Sequence, residues 1–159
     1  MKLVVDASPL IVLFKSELAH LLPQLSVETL VPVAVWDEVL AGGESDPAAQ
    51  ALPAVGWARR VEVTSSHPII TTWNLGAGES EVLNLAHSLS GYRAMVDDAA
   101  ARACARTLGI SMIGTGGLLV IAKRRGLISS VETALQTVRD AGLWLSDDVA
   151  RLLTQQAGE

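Results

Sequence analysis

Two short apolar runs in this chain end on a carboxylate and pass directly into a helix. Leu3-Val4-Val5 stops at Asp6, and a later short strand stops at Asp97-Asp98. A continuous β-branched run with no polar alternation reads as a strand buried on both faces, as in a parallel sheet covered by helices. An acid at the end of such a strand stands at the sheet's C-terminal edge. Ligands of open α/β sheets bind there, where the strand order reverses. Strands separated by helices along the rest of the chain imply βαβ units and an α/β fold around a parallel sheet.

The 159 residues fit a single domain, 1–159, with a sizeable core. Half of them are apolar and only 18% are charged, which argues against disorder except at the last few residues. No apolar run reaches membrane-spanning length, and Asp6 interrupts the N-terminal apolar stretch too early for a signal peptide. A cytosolic location is expected. Cys104 is the only cysteine; it lies mid-helix among alanines and reads as a core thiol in a reducing compartment. The net charge of −5 lacks the basic footprint of a protein that coats nucleic acid. A nuclease is still permitted, because clustered carboxylates carry much of that charge and a bound cation would neutralise them.

After Asp6, Ser8 is expected to cap a helix with Pro9 at its first position, and Leu10, Leu13, Phe14 and Leu18 form its buried stripe. Thr29–Val31 reads as the second strand. Pro32 opens a helix through Leu40, stopped by Gly42-Gly43. Asp46-Pro47 opens another helix to about Trp57, with Pro53 as a kink. Val61–Val63 reads as the third strand, and 64–77 as a loop anchored by Ile69, Ile70 and Trp73. A helix follows Gly78, then the strand before Asp97, a helix from Ala99 to Leu108, the Ile110–Met112 strand, and a helix from Gly116 to Arg125. Ser130 and Ser146 cap the last two helices.

The acids are the chemistry-bearing residues. Ser8 suits the capping role better than Asp6, which frees Asp6 for a site. Of Asp97-Asp98, the first is expected to face the site and the second to cap or assist. Glu79 and Glu81 lie in the first turn of a helix, where residues two apart point to nearly opposite sides. Both reach one site only if Glu79 precedes the regular turn, which Gly76 and Gly78 permit. Either Asp37 or Glu38 can flank the buried edge marked by Trp36 and Val39. Converging carboxylates resist joint ionisation. A hard divalent cation, Mg²⁺ or Mn²⁺, relieves that repulsion and prefers oxygen ligands. Without a Cys/His cluster, zinc is not expected; His20, His67 and His87 read as surface or packing residues. Such an ion activates water and stabilises a phosphodiester's developing charge.

Over Met1 to about Leu127 the chain resembles the PIN-domain nucleases, most of all the short PIN-like proteins encoded as toxins of VapBC-type toxin–antitoxin pairs. Val4-Val5-Asp6-Ala7-Ser8-Pro9-Leu10-Ile11 resembles the family's opening strand, acid and small hydroxyl residue. Val35-Trp36-Asp37-Glu38-Val39 is similar to its second acidic position and favours Glu38. Gly78-Glu79-Ser80-Glu81 resembles the glycine and paired glutamates of the wider superfamily, and Asp97-Asp98 its final acidic position. The resemblance implies a three-layer α/β/α sandwich with the first and fourth strands adjacent. It implies a catalytic set of Asp6, Glu38, Glu79, Glu81 and Asp97. Asp6, Glu38, Glu81 and Asp97 would ligate Mg²⁺ or Mn²⁺, Asp98 would assist, and Ser8 would hold Asp6 or a metal-bound water. The implied activity is endoribonuclease on RNA, checked by an antitoxin protein and carried by a homodimer.

Met95 stands where many toxin members carry Thr, and Thr115 after the next strand is a candidate for that hydroxyl role or for a helix cap. Gly114–Gly117 lacks the ending of a nucleotide-binding P-loop. Arg102 and Arg106 share a helical face and are candidates for the substrate backbone, with Lys123-Arg124-Arg125 as a second basic group. Arg59-Arg60 reads as a solvated helix end. Leu10, Leu13, Phe14, Leu18, Leu21 and Leu22 form either a self-complementary dimer face or core. Two rival readings remain: a catalytically silent PIN-like protein-binding module, and a phosphoryl-accepting receiver-like domain. The second has little support, because Asp97-Asp98 follows a late strand and no Lys follows Ile110–Met112.

Overall fold

The computed structural model describes residues 1–159. Its sheet is built on β1 (Lys2–Val5). On one side of β1 lie β2 (Glu28–Pro32) and then β3 (Ala58–Val61); on the other lie β4 (Tyr92–Met95) and β5 (Met112–Ile113). Every pairing is parallel. The helices between β1 and β4 are α1 (Ala7–Lys15), α2 (Leu21–Leu25), α3 (Val33–Leu40), α4 (Pro47–Ala51), α5 (Pro68–Thr72) and α6 (Ala77–Ser88). Beyond β4 come α7 (Ala99–Thr107), α8 (Thr115–Arg124), α9 (Val131–Asp140) and α10 (Asp147–Gln156). The whole is the expected three-layer α/β/α sandwich.

The strand order places its reversal between β1 and β4. The chain steps from β1 to β2 to β3 in one direction, then returns to the far side of β1. Val5 is in register with Met95, and the Asp6 amide donates to the Met95 carbonyl at 3.1 Å. Asp6 and Asp97 therefore leave adjacent strands at the same edge of the sheet, where a crevice opens. Leu3, Val4 and Val5 are wholly buried and belong to one contiguous core of 39 residues. At roughly 1.5–3 kcal/mol for each large apolar side chain removed from water, that core holds the strand ends in place.

Several local expectations change. Asp6, not Ser8, is the N-cap of α1, and its Oδ1 accepts from the Ala7 amide at 2.8 Å. The helix after Asp46 ends at Ala51 and tightens into a 3-10 turn over Leu52–Ala54, because Pro53 lacks the amide that would continue it. Segment 64–77 contains α5, capped by the His67 ring, whose Nδ1 accepts from the Ile69 amide. Of its expected anchors, Ile70 is buried, Trp73 half-buried and Ile69 exposed. The His67 and His87 rings, distant in sequence, meet edge to face at 4.7 Å.

β3 runs earlier than expected: Val61 closes it rather than opening it. The apolar spacing of Val61–Val63 draws the expectation forward, but the register is set by pairing, Thr29 with Ala58 through Pro32 with Val61. Arg59 and Arg60 therefore lie on an edge strand, where exposed charge is common, and not at a helix end. Arg59 pairs with Glu28 at 3.4 Å and Arg60 reaches Asp37 at 4.0 Å.

The apolar face of the early helices belongs to the intramolecular core. Leu10, Leu13, Leu21 and Leu22 are fully buried, and Phe14 stacks on Trp57. Cys104 is a buried free thiol, its pKa pushed up by burial. Lys123 and Arg124 secure the C-terminal segment: Lys123 pairs with Glu159 at 3.2 Å, and Arg124 Nη2 donates to the Gln156 carbonyl at 2.6 Å. No helix is long and apolar enough to cross a membrane.

Candidate active site

Asp6 is buried, 3% exposed, and fixed at the head of α1. On the next strand Asp97 is fixed more firmly still. The first residue of α8 grips both its oxygens: the Thr115 amide donates to Oδ1 at 2.7 Å, and Thr115 Oγ1 donates to Oδ2 at 2.5 Å. Thr115 is wholly buried, so the grip is sheltered from water. Gly114 leaves room beside it. A Cβ there would stand 3.0 Å from Asp97 Oδ1 and 3.1 Å from Arg102 Nη1. Asp98 caps α7, its Oδ2 accepting from the Ala101 amide at 2.9 Å.

The third and fourth acids come from the approach of α3 to α6. Gly78, second residue of α6, is buried against both neighbours. A Cβ on Gly78 would lie 3.1 Å from Glu38 Oε2 and 3.3 Å from Asp6 Oδ1. The absence of a side chain thus lets the Glu38 and Asp6 carboxylates face the same point in space. Glu79, the next residue, raises the pKa of both of them. Asp37 is turned toward Arg60, at 4.0 Å, and Glu38 is the acid of α3 that faces Gly78.

The electrostatics report the crowding. Burial pushes Asp6 up to about 7 from an ordinary 3.8, the Ala7 amide opposes that, and Glu79, Glu38 and Asp97 push it further up. Glu38 is also raised, by burial first and by Glu79 second. Without a counter-charge Asp6 holds its proton near neutrality. No three acidic, histidine or cysteine side chains stand grouped as a finished ion cage. Yet the donors facing the Gly78 gap are carboxylate oxygens alone, whose mutual repulsion a hard divalent cation relieves. In chemistry the carboxylates of Asp6 and Glu38 fit such an ion, with those of Glu79 and Asp97 near enough to act on Asp6.

Two expected members stand differently. Glu81 does not join the acids that act on Asp6; its Oε2 accepts from the Ala34 amide at 2.8 Å, in the first turn of α3. There it satisfies a free helix-terminal donor and the positive end of the helix dipole. Glu81 thereby tethers the helix that carries Glu38. Ser8 is exposed in the first turn of α1 and makes no hydrogen bond to Asp6.

A cleft of about 680 Å³ opens over Asp6, Glu79 and Asp97, and Glu38 is not among the residues that line it. Asp6, Ser8, Glu79, Asp97 and Asp98 line one part of it, and Arg102 and Arg106 another. Arg102 Nη1 donates to the Val96 carbonyl at 3.1 Å, which ties that guanidinium to the strand end. The remaining wall, from Gly142 to Leu145 with Val149, belongs to the C-terminal segment and carries no sequence motif. Its one visible signal is a tryptophan, Trp144, between a helix stop and a helix cap. A larger groove, about 900 Å³, runs between α9 and α10. It contains the Arg139–Asp147 pair and none of Asp6, Glu79 and Asp97, which line the smaller cleft.

A family model described as DUF3368, a PIN domain, matches residues 2–159. No curated protein matches the chain at a significant level.

Proposed function

The chain belongs to the PIN-domain family, and from that premise we propose that it is a divalent-metal-dependent endoribonuclease of the cytosol, the toxin of a toxin–antitoxin pair. PIN domains are generally nucleases, and the fold here is of the nuclease type. The observation that supports the activity is the meeting of the Asp6 and Glu38 carboxylates across Gly78, with Glu79 near enough to act on both, beside Asp97 at the reversal of the strand order. The choice of RNA and the toxin role draw on the resemblance of the acidic motifs.

Asp6, Glu38, Glu79 and Asp97 would hold the ion. Bound Mg²⁺ or Mn²⁺ supplies an activated water and neutralises charge on the phosphoryl oxygens. The chain's own residues do the positioning. Thr115 locks the Asp97 carboxylate in one orientation; Gly78 keeps a Cβ out of the space between Asp6 and Glu38, and Gly114 out of that between Asp97 and Arg102. Glu81 secures α3 and so the reach of Glu38. Arg102 and Arg106 offset the negative cleft where the phosphate backbone enters.

The test is cleavage of a defined RNA panel with Mg²⁺ or Mn²⁺ against a chelator control, for wild type and Asp97→Asn. Cleavage is expected only with the ion and only in wild type. Equal rates in both proteins overturn the assignment of Asp97. Absence of Mn²⁺ binding by calorimetry leaves the silent protein-binding module instead. A small DNA-binding protein encoded in the neighbouring reading frame is the expected companion of a toxin.

Thr115→Val is expected to loosen the grip on Asp97. It keeps the backbone donor and the side-chain volume but deletes the Oγ1 bond. Stability should fall by about 1–3 kcal/mol in urea unfolding, as for loss of a hydrogen bond to a charged group. Cleavage should fall with it, and Thr115→Ser should restore both.

A further inference from the structure

We propose that Trp144 is a stacking platform for an unpaired nucleobase, and that it makes the acidic cleft select single-stranded RNA over duplex. This rests on the nuclease reading and adds to it the form of the substrate. Trp144 is 86% exposed, more than any other large apolar side chain of the protein. It is nevertheless not on a loose tail. Gly142 turns the chain with φ of +114°, the Leu143 amide donates to the Val138 carbonyl at 3.0 Å, and Leu143 is buried beneath. Leu145 packs against the core on the other side. The loop is pinned at both neighbours of Trp144 and presents the indole outward, at the cost of leaving its apolar surface in water.

What the indole stands beside points to its ligand. Trp144 lines the cleft that contains Asp6, Asp97, Arg102 and Arg106. It also lines an adjoining, mostly apolar hollow of about 480 Å³ bordered by Gly114, Ile113, Val149 and Leu153. Asp97 and Arg102 border both spaces. An aromatic face, an apolar hollow and two arginines therefore meet next to the acids. Arg106 is exposed and forms no ion pair within the chain. Single-stranded nucleic acid is bound by this combination, with cations on the phosphates and aromatic rings on the bases. A duplex keeps its bases stacked and offers no face to the indole.

The experiment measures binding of a fluorescently labelled single-stranded RNA and its matched duplex by polarisation, with Mg²⁺ present. The full-length chain carries Asp97→Asn so that the RNA stays intact. The platform predicts tighter binding of the single strand. Trp144→Ala should weaken that binding by about tenfold or more and leave duplex binding unchanged. Trp144→Phe should stay within about threefold of the parent. Thermal unfolding should be unaltered, because the side chain is exposed. Single-strand preference that survives Trp144→Ala overturns the proposal. So does a variant whose only defect is loss of self-association in sedimentation or of capture by a co-encoded protein, since the indole then covers a protein surface. The two readings fail separately: cleavage without Trp144 dependence removes the platform, whereas Trp144-dependent single-strand binding without any cleavage removes the nuclease.

Discussion

Asp6→Asn is expected to abolish cleavage and, in the same protein, to raise the stability of the metal-free fold. The two effects have one cause. In the folded chain the Asp6 carboxyl is pushed up to about 7, against 3.8 ordinarily, first by burial and then by Glu79, Glu38 and Asp97. Below pH 3.8 the group is protonated whether folded or unfolded and contributes nothing to the difference. Between 3.8 and about 7 the unfolded chain gives up the proton while the folded one keeps it, so stability declines as pH rises. Above about 7 the full cost is present. Asparagine has no charge to bury, and its oxygen still accepts the Ala7 amide as a helix cap. The substitution should therefore stabilise the protein at pH 8 in chelator by roughly 2–4 kcal/mol, since each tenfold change in proton affinity between folded and unfolded chain is worth about 1.4 kcal/mol. The gain should vanish near pH 3.5, roughly where both states hold the proton. Mn²⁺ should raise the melting temperature of wild type in proportion to the logarithm of its concentration and leave the variant nearly unmoved. Cleavage should fall roughly 10²–10³-fold, a few kcal/mol of transition-state stabilisation. A variant no more stable than wild type at pH 8 would mean that Asp6 is not crowded.

Gly78→Ala should behave as the opposite of an ordinary core mutation: activity falls while the fold holds. Alanine is the better helix former by about 1 kcal/mol in a helix interior. Its methyl would meet Glu38 Oε2 at 3.1 Å, Asp6 Oδ1 at 3.3 Å and Val35 Cγ2 at 3.4 Å. Asp6 is pinned and buried, but Glu38 is on an exposed part of α3 and has room to swing outward. The strain is relieved by moving one carboxylate away from the other. Urea unfolding should therefore stay within about 0.5 kcal/mol of wild type, the helix gain offsetting residual crowding. Cleavage should drop by about tenfold or more, with weaker Mn²⁺ affinity in calorimetry, because a misplaced ligand is felt at the reacting centre. A destabilised but fully active protein would show that Glu38 does not contribute to the site.

The positions of Asp6 and Asp97 are legible in the amino-acid order because their causes are local. A β-branched run, an acid and a helix start lie within a few residues of one another, and only a parallel sheet uses that unit twice. The capping serines before α9 and α10 are legible for the same reason, since a cap is a bond to an amide three residues away. The position of β3 is not legible, because an edge strand has little apolar signal of its own and takes its register from β2. Nor is the division of roles between Glu79 and Glu81. Motif resemblance favours Glu81 as a ligand, whereas Glu79 is the one that acts on Asp6. Helical periodicity says that the two diverge but not which of them meets the strand end.

By itself the sequence determined the fold class and the placing of Asp6 and Asp97 at the ends of two strands on one sheet edge. Those follow from short-range stereochemistry and from the burial of apolar runs. Only the tertiary structure decided that Glu38 rather than Asp37 turns inward, that Glu81 tethers α3 through Ala34, and that Trp144 overlooks the acids. Each of those depends on how closely α3, α6 and the segment before α10 approach one another. That closeness is set by packing between residues far apart in the chain, and a missing side chain at Gly78 matters only once the neighbours that it admits are in place.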